Sequence, residues 1–293
     1  MSTHRLAWVD AFADAPFGGN PCAVFFDADD IPTGRRIEIT RETGLTECAF
    51  LVASDKADFG ARYYLPTGEI LFAGHPTIAT CTALADAGLL AGRSAMSLEV
   101  GAGVIPIEIT TGDGPPRFTM TQARPEFGLR LHPEEVGAVY GLQADEVIAQ
   151  PQIVSTGTAF IVTLLRDHEV LRRARLDPER LAELTARLPG APFLEPFLVT
   201  RPGATAQGQT FSRLLLPPPL PPEDPYTGSA TGCMAAYLWA HGLIDSPRFV
   251  AEQGHWLERP GRGEVEVLGP RDAIEGVRLT GSGVVVFRGA LAI

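Results

Sequence analysis

An α+β fold built from two similar halves is predicted by three features of the sequence. One is a long-period internal repeat. The second is the mixed order of strand-like and helix-like segments, which does not alternate as a doubly wound parallel sheet requires. The third is a pair of apolar, Ala-rich runs without internal proline, each closed by a glycine, which read as buried helices with glycine C-caps.

The repeat aligns ARYYLPTGEILFAGHPTIATCTALADAGLL with SRLLLPPPLPPEDPYTGSATGCMAAYLWAHGLI. Arg62 matches Arg213, Pro66 matches Pro217, Gly74 matches Gly228 and Thr77 matches Thr231. Leu84, Gly88 and Leu89 match Leu238, Gly242 and Leu243 without a gap. Each copy reads as a strand, a Gly/Pro-rich turn and a helix. More strand-like segments follow each copy, SLEVGAGVIPIEIT in the first half and FVAEQGHWLERPGRGEVEVLG in the second.

The turn-rich stretch TTGDGPPRF separates the halves and gives domains of 1–118 and 119–293, with the last strand able to cross back to the first. In the second half, HPEEVGAVYGL and DPERLAELTARL read as helices. Asp177 suits an N-cap there and Pro178 the first helical position. Strands fit QIVSTGTAFIVTLL, PFLVTRP and GVVVFRGALAI, and the proline-dense LLLPPPLPPEDP reads as an exposed loop.

Composition narrows the function classes. Of 293 residues, 45% are hydrophobic and 20% charged, as in a globular protein with a core. The net charge of −11 argues against a nucleic-acid partner but leaves room for an anionic small substrate in a locally positive pocket. No stretch is long and apolar enough for a membrane span and the start is no signal peptide, so a cytoplasmic location is expected. Cys22, Cys48, Cys81 and Cys233 form no C-x-x-C pair and read as small buried side chains, so no metal is expected. No phosphate-binding loop, dinucleotide fingerprint or nucleophile elbow is present, so no cofactor is expected.

Chemistry can sit where two turns, FAGHPTIAT and DPYTGSATG, enter the buried helices. A helix start offers unpaired N–H groups and partial positive charge, worth about 0.3–1 kcal/mol to an exposed anion and up to about 2 in shelter. Gly74 with His75, and Asp224 with Gly228 and Ser229, mark these two places. A histidine that shuttles a proton, a carboxylate and anion-binding amides form a plausible constellation for proton transfer. Each also has a plainer reading: His75 and Ser229 as helix caps, Asp224 as a turn residue. Spacing does not distinguish Glu47 from any acid at a strand edge. The turn Gly18-Gly19-Asn20-Pro21 either closes over a ligand or only joins two strands.

These residues resemble the PhzF family of phenazine-biosynthesis-like isomerases, which share the diaminopimelate epimerase fold. The resemblance runs through VDAFADAPFGGNPCAV, ETGLTECAFL, EILFAGHPTIAT, EDPYTGSATGCMAAYL and EQGHWLERPG. It implies two α+β domains, each a mixed sheet wrapped around a central helix, with an active-site cleft between them and often a homodimer. It implies Glu47 as the general acid/base, with His75 and Asp224 beside it and Asn20, Gly74, Gly228 and Ser229 binding a small carboxylate substrate. The expected activity is proton transfer on an unsaturated hydroxy- or amino-carboxylate without a cofactor. A dehydratase or epimerase using Glu47 and His75, and a catalytically idle binder of a metabolite or protein, are the alternatives. Two-cysteine racemases of the same fold carry a thiol in each helix-entry motif; Ala73 and, approximately, Thr227 stand there here.

Overall fold

The computed structural model describes residues 3–112, 114–188 and 194–293. The fold is α+β. In chain order the first elements are β1 (Thr3–Ala11), β2 (Asn20–Phe25), α1 (Thr33–Thr43), β3 (Cys48–Val52), β4 (Phe59–Leu65), β5 (Gly68–Ile70), α2 (Gly74–Asp86), β6 (Ala95–Val100), β7 (Gly103–Thr110) and β8 (Arg117–Gln122). Then come β9 (Glu126–Arg130), α3 (Pro133–Val139), β10 (Gln152–Ser155), β11 (Ala159–Leu164), α4 (His168–Arg173), α5 (Pro178–Ala186) and β12 (Pro196–Thr200). The chain closes with β13 (Thr210–Leu215), β14 (Glu223–Asp224), α6 (Gly228–Ala240), β15 (Arg248–Gln253), β16 (Gly261–Leu268), β17 (Gly276–Gly281) and β18 (Gly283–Ala292). Among the described residues, no helix is long and apolar enough to cross a membrane.

The chain divides into two compact units. Residues 1–121, 256–263 and 279–293 form one, and residues 122–255 and 264–278 the other. In the first unit β1 pairs antiparallel with β18 and with β2, β2 parallel with β3, and β3 antiparallel with β4. β4 then pairs antiparallel with β5 and parallel with β6. In the second unit β10 pairs antiparallel with β9 and β11, β11 parallel with β12, and β12 antiparallel with β13. β13 in turn pairs antiparallel with β14 and parallel with β15. The pairing series is the same in both units, so the duplication extends beyond the stretch that aligns by sequence.

Each unit is organised on one buried helix. α2 packs against β1, β2, β3 and β18, and residues 74–84 along it are all buried. α6 packs against β10, β11 and β12 and is buried almost as completely. A helix apolar all round has no solvent face and belongs inside a sheet's curve. Ile78 and Leu84 are wholly enclosed, each worth roughly 1.5–3 kcal/mol of burial. The two helices end alike. Gly88 and Gly242 take φ of 76° and 67°. The Leu89 N–H reaches back to the Leu84 carbonyl, as the Leu243 N–H does to that of Leu238. This is the Schellman closure, and glycine is needed for its left-handed residue.

Other repeated details are electrostatic. Arg62 on β4 lies 3.9 Å from Glu69, and Arg213 on β13 grips Glu223 through Nε and Nη2 at 2.9 and 2.6 Å. Thr77 Oγ1 donates to the Ala73 carbonyl at 2.7 Å, and Thr231 Oγ1 to that of Thr227 at 2.9 Å.

Asp177 caps α5 by accepting from the Glu179 and Arg180 N–H groups, with Pro178 following it. Three segments read as single strands or strand runs resolve into pairs: β6 with β7, β10 with β11, and β15 followed by β16. α1 had no counterpart in the sequence reading. It is polar, with Arg36, Ile39 and Thr40 buried, and its clearest signal is Gly44 at φ 68° after its last turn.

Gly232, in the middle of α6, is where a side chain has no room. A Cβ there would lie 1.8 Å from Gln122 Oε1. That oxygen accepts from Thr156 Oγ1 at 2.6 Å, and the Gln122 amide donates to the Gly228 carbonyl at 2.9 Å. Gly232→Ala should therefore destabilise the protein by about 1–3 kcal/mol despite alanine's better helix propensity. Urea unfolding checks this; an unchanged midpoint would show that Gln122 moves aside at no cost.

Candidate active site

The start of α2 gathers side chains from three elements of the first unit. Glu47 lies one residue before β3, Asn20 opens β2, and Gly74 and His75 are the first two residues of α2. Asn20 Nδ2 lies 3.1 Å from His75 Nδ1. Glu47 Oε2 lies 3.8 Å from the same nitrogen. Asn20 is fully enclosed and His75 is 4% exposed, whereas the Glu47 side chain is 18% exposed. Glu47 is thus the member of the group with access to solvent.

Burial decides the state of the histidine. Desolvation lowers the His75 pKa to about 3, so the ring is neutral near pH 7. The Asn20 amide nitrogen can only donate, so Nδ1 accepts and the neutral ring carries its proton on Nε2. The contact with Glu47 is therefore between a carboxyl group and an uncharged ring, not an ion pair. His75 Nε2 is buried and bonded to no described protein group.

The helix start itself is fixed from below. Tyr63 on β4 shares a 2.9 Å hydrogen bond with Thr77 Oγ1, which donates onward to Ala73. Ala73 is the N-cap and makes no side-chain cap bond. The plainer reading of His75 as a cap is thereby corrected: it is the second helical residue, and its ring turns to Asn20 instead.

The second unit has its own cluster at the start of α6. Asp224 ends β14 and is buried. Its Oδ2 accepts from Thr227 Oγ1 at 2.5 Å. Gln253, at the end of β15 and fully buried, closes the knot. Its Oε1 accepts the Thr227 N–H at 3.0 Å, and its Nε2 donates to the Asp224 carbonyl at 2.7 Å and to Thr227 Oγ1 at 3.2 Å. Gly228 is buried and Ser229, the second helical residue, is partly exposed. Thr227 is the N-cap, so the reading of Ser229 as a cap is also corrected.

Sequence reasoning did not single out Thr227 or Gln253 for these roles. Gln253 lies in EQGHW, a segment that carried part of the resemblance, but its bonds back to residues 224 and 227 are tertiary.

The four cysteines are buried and free. Desolvation raises the thiols of Cys48 and Cys233 to about 11 and pushes those of Cys22 and Cys81 up as well. They are protonated thiols at neutral pH and poor nucleophiles. Neither helix N-cap is a cysteine, since Ala73 and Thr227 hold those positions.

Fold and site together define an α+β protein of two like-built units, each with a buried helix whose start carries polar and ionisable groups. The phenazine biosynthesis-like protein family matches residues 9–289, and the chain belongs to that family. It is 30% identical to the uncharacterized isomerase YfhB of Bacillus subtilis (strain 168), over 97% of each chain. It is also 30% identical to the trans-2,3-dihydro-3-hydroxyanthranilate isomerase of Pseudomonas aeruginosa, over 98% of each. The crystal structure of the Bacillus anthracis phenazine biosynthesis protein of the PhzF family superposes with a TM-score of 0.88, at 26% identity and full coverage of both chains. The chain is therefore a member of a family whose curated relatives at this similarity are named isomerases.

Proposed function

We propose that the protein is a cofactor-independent isomerase that moves a proton on a small unsaturated hydroxy- or amino-carboxylate, with Glu47 as the general acid/base. The observation that carries this reading is the triad at the start of α2. The carboxyl group of the partly exposed Glu47 side chain lies, through its buried Oε2, 3.8 Å from a buried, neutral histidine that Asn20 orients at 3.1 Å. A group that both takes and returns a proton must reach substrate, and the greater exposure of the Glu47 side chain than of His75 or Asn20 supports giving it that role. His75, held neutral, offers an Nε2–H that can polarise substrate by donating a hydrogen bond, without adding a charge to the site. Asp224 is the second proposed catalytic group, held by Thr227 and Gln253.

The N–H groups around Gly74, and those around Gly228 and Ser229, supply helix-start donors suited to a carboxylate. Asn20 completes the proposed binding set through its hold on His75. Proton transfer between carbons needs only an acid/base group and a polarised substrate, so the reading requires no metal or organic cofactor.

The name of the Pseudomonas aeruginosa relative supplies the first compound to try, trans-2,3-dihydro-3-hydroxyanthranilate. The test is proton NMR of that compound and related cyclic unsaturated hydroxy- and amino-carboxylates incubated with the protein and a chelator. Conversion of at least one to an isomer of equal mass is expected. Thermal protection by one of them with no conversion of any would mark a binding protein instead.

A further inference from the structure

The eight residues 12–19 that join β1 to β2 are held in a costly shape. Phe12 and Phe17 take φ of 57° and 71°, and Phe17 is 69% exposed. Left-handed backbone is sterically unfavourable at a bulky residue, so the surroundings must impose it. Gly19, at φ 51°, passes so close to β1 that a Cβ would lie 2.0 Å from the Ala11 carbonyl oxygen.

What imposes the shape comes from the far end of the sequence. Arg259 Nε donates to the Gly19 carbonyl at 3.0 Å, and Nη2 to that of Gly18 at 2.8 Å. Nη2 also reaches Asp10 Oδ1 at 2.6 Å, while Asp10 Oδ2 accepts the Phe17 N–H at 2.6 Å. Asp10 is 1% exposed, so this is a sheltered, charge-assisted pair. Backbone bonds from Gly19 to Pro260 and from Arg262 to Phe12 run alongside. The next residue after Gly19 is Asn20, whose amide sets the His75 ring.

We propose that Arg259 is a positioning residue for the reaction: its guanidinium locks the 12–19 turn and so fixes Asn20 against His75, setting the ring's tautomer and direction. The involvement of His75 in turnover rests on the function proposed above; the lock itself does not. Arginine is suited to the task because one planar fork spans three acceptors on two segments. Lysine keeps the charge but cannot span them. Removing the lock lets the turn relax towards ordinary backbone angles, and the Asn20 amide then moves with it.

The test uses the full chain with 15N-labelled histidine, in the wild type, Arg259→Lys and Asp10→Asn. In the wild type the imidazole nitrogen shifts of His75 are expected to report one tautomer, protonated on Nε2. In both variants, folded by circular dichroism, those shifts should move to a mixture of tautomers. Turnover should fall by up to about 100-fold through kcat more than KM, the scale of a misplaced but intact group. A single unchanged tautomer in both folded variants would overturn the proposal. Because the imidazole is read without substrate, mixed tautomers with undiminished turnover would support the lock and count against the role given to His75.

Discussion

Replacing Glu47 by glutamine should leave the fold intact and lower kcat by about 10²–10⁴, the usual contribution of a positioned acid/base. Glutamine matches the carboxylate in shape, so the packing around the mostly enclosed Glu47 side chain is kept. What disappears is the capacity to accept a proton and give it back. KM should change far less than kcat, because the helix-start amides and Asn20 remain in place. Steady-state kinetics on the substrate found by NMR, with circular dichroism as the control on folding, measure both quantities. Near-normal kcat would remove Glu47 from the mechanism and leave His75 or Asp224 to carry the proton.

The second large effect is on stability at low pH. With its folded pKa lowered to about 3, His75 stays neutral where the same ring in the unfolded chain, near 6.5, takes up a proton. Between these values the unfolded state binds more protons, so stability falls as pH drops from about 6.5 towards 3. From pH 7 to pH 4 this one ring should cost about 3 kcal/mol. His75→Gln removes the titration while keeping a polar side chain of similar reach. Urea unfolding of both proteins at pH 7 and pH 4 isolates the contribution, since other acid-sensitive groups are common to both. The variant should lose about 3 kcal/mol less than the wild type across that interval. Equal losses would mean that His75 is already protonable in the folded protein, and the neutral-donor role would fail with it.

The parts of the fold that were legible in the sequence are those written in local composition. The two buried helices show as Ala-rich runs closed by glycine, and Asp177-Pro178 announces α5 before any apolar periodicity does. The repeat showed because strand, turn and helix recur in one order with glycine at both ends of each helix. α1 escaped notice because its face is polar and its burial depends on β4 and β5, which only the fold brings near it. The hairpins β6–β7 and β10–β11 read as strand material, and the glycines that mark their turns, Gly101 and Gly103 in one and Gly157 in the other, stand inside stretches otherwise rich in strand-forming residues.

The site divides along the same line. His75 and Asp224 stood out because each flanks a helix start beside proline or glycine, a signal carried by adjacent residues. Glu47 had no such signal, and only the resemblance of a longer segment picked it out. Its value becomes visible when β3 sets it beside the start of α2. The partners that give these groups their properties lie far away in sequence. Asn20 is 55 residues from His75, Gln253 is 29 from Asp224, and Arg259 is 240 from Gly19. No local pattern encodes such contacts, because they are products of strand order. The repeat also hid a functional asymmetry. The position of His75 in the first copy is taken by Ser229 in the second, and that of Ile70 by Asp224, so the two helix starts share a frame but not a chemistry.

The measurement that bears most directly on Glu47 as the proton carrier is deuterium uptake from D₂O into substrate, followed by NMR for the wild type and Glu47→Gln side by side. The wild type should place deuterium at a single carbon at a rate comparable to turnover, and the variant should place essentially none over the same time. Equal uptake by both proteins would contradict the assignment and move the proton to another group.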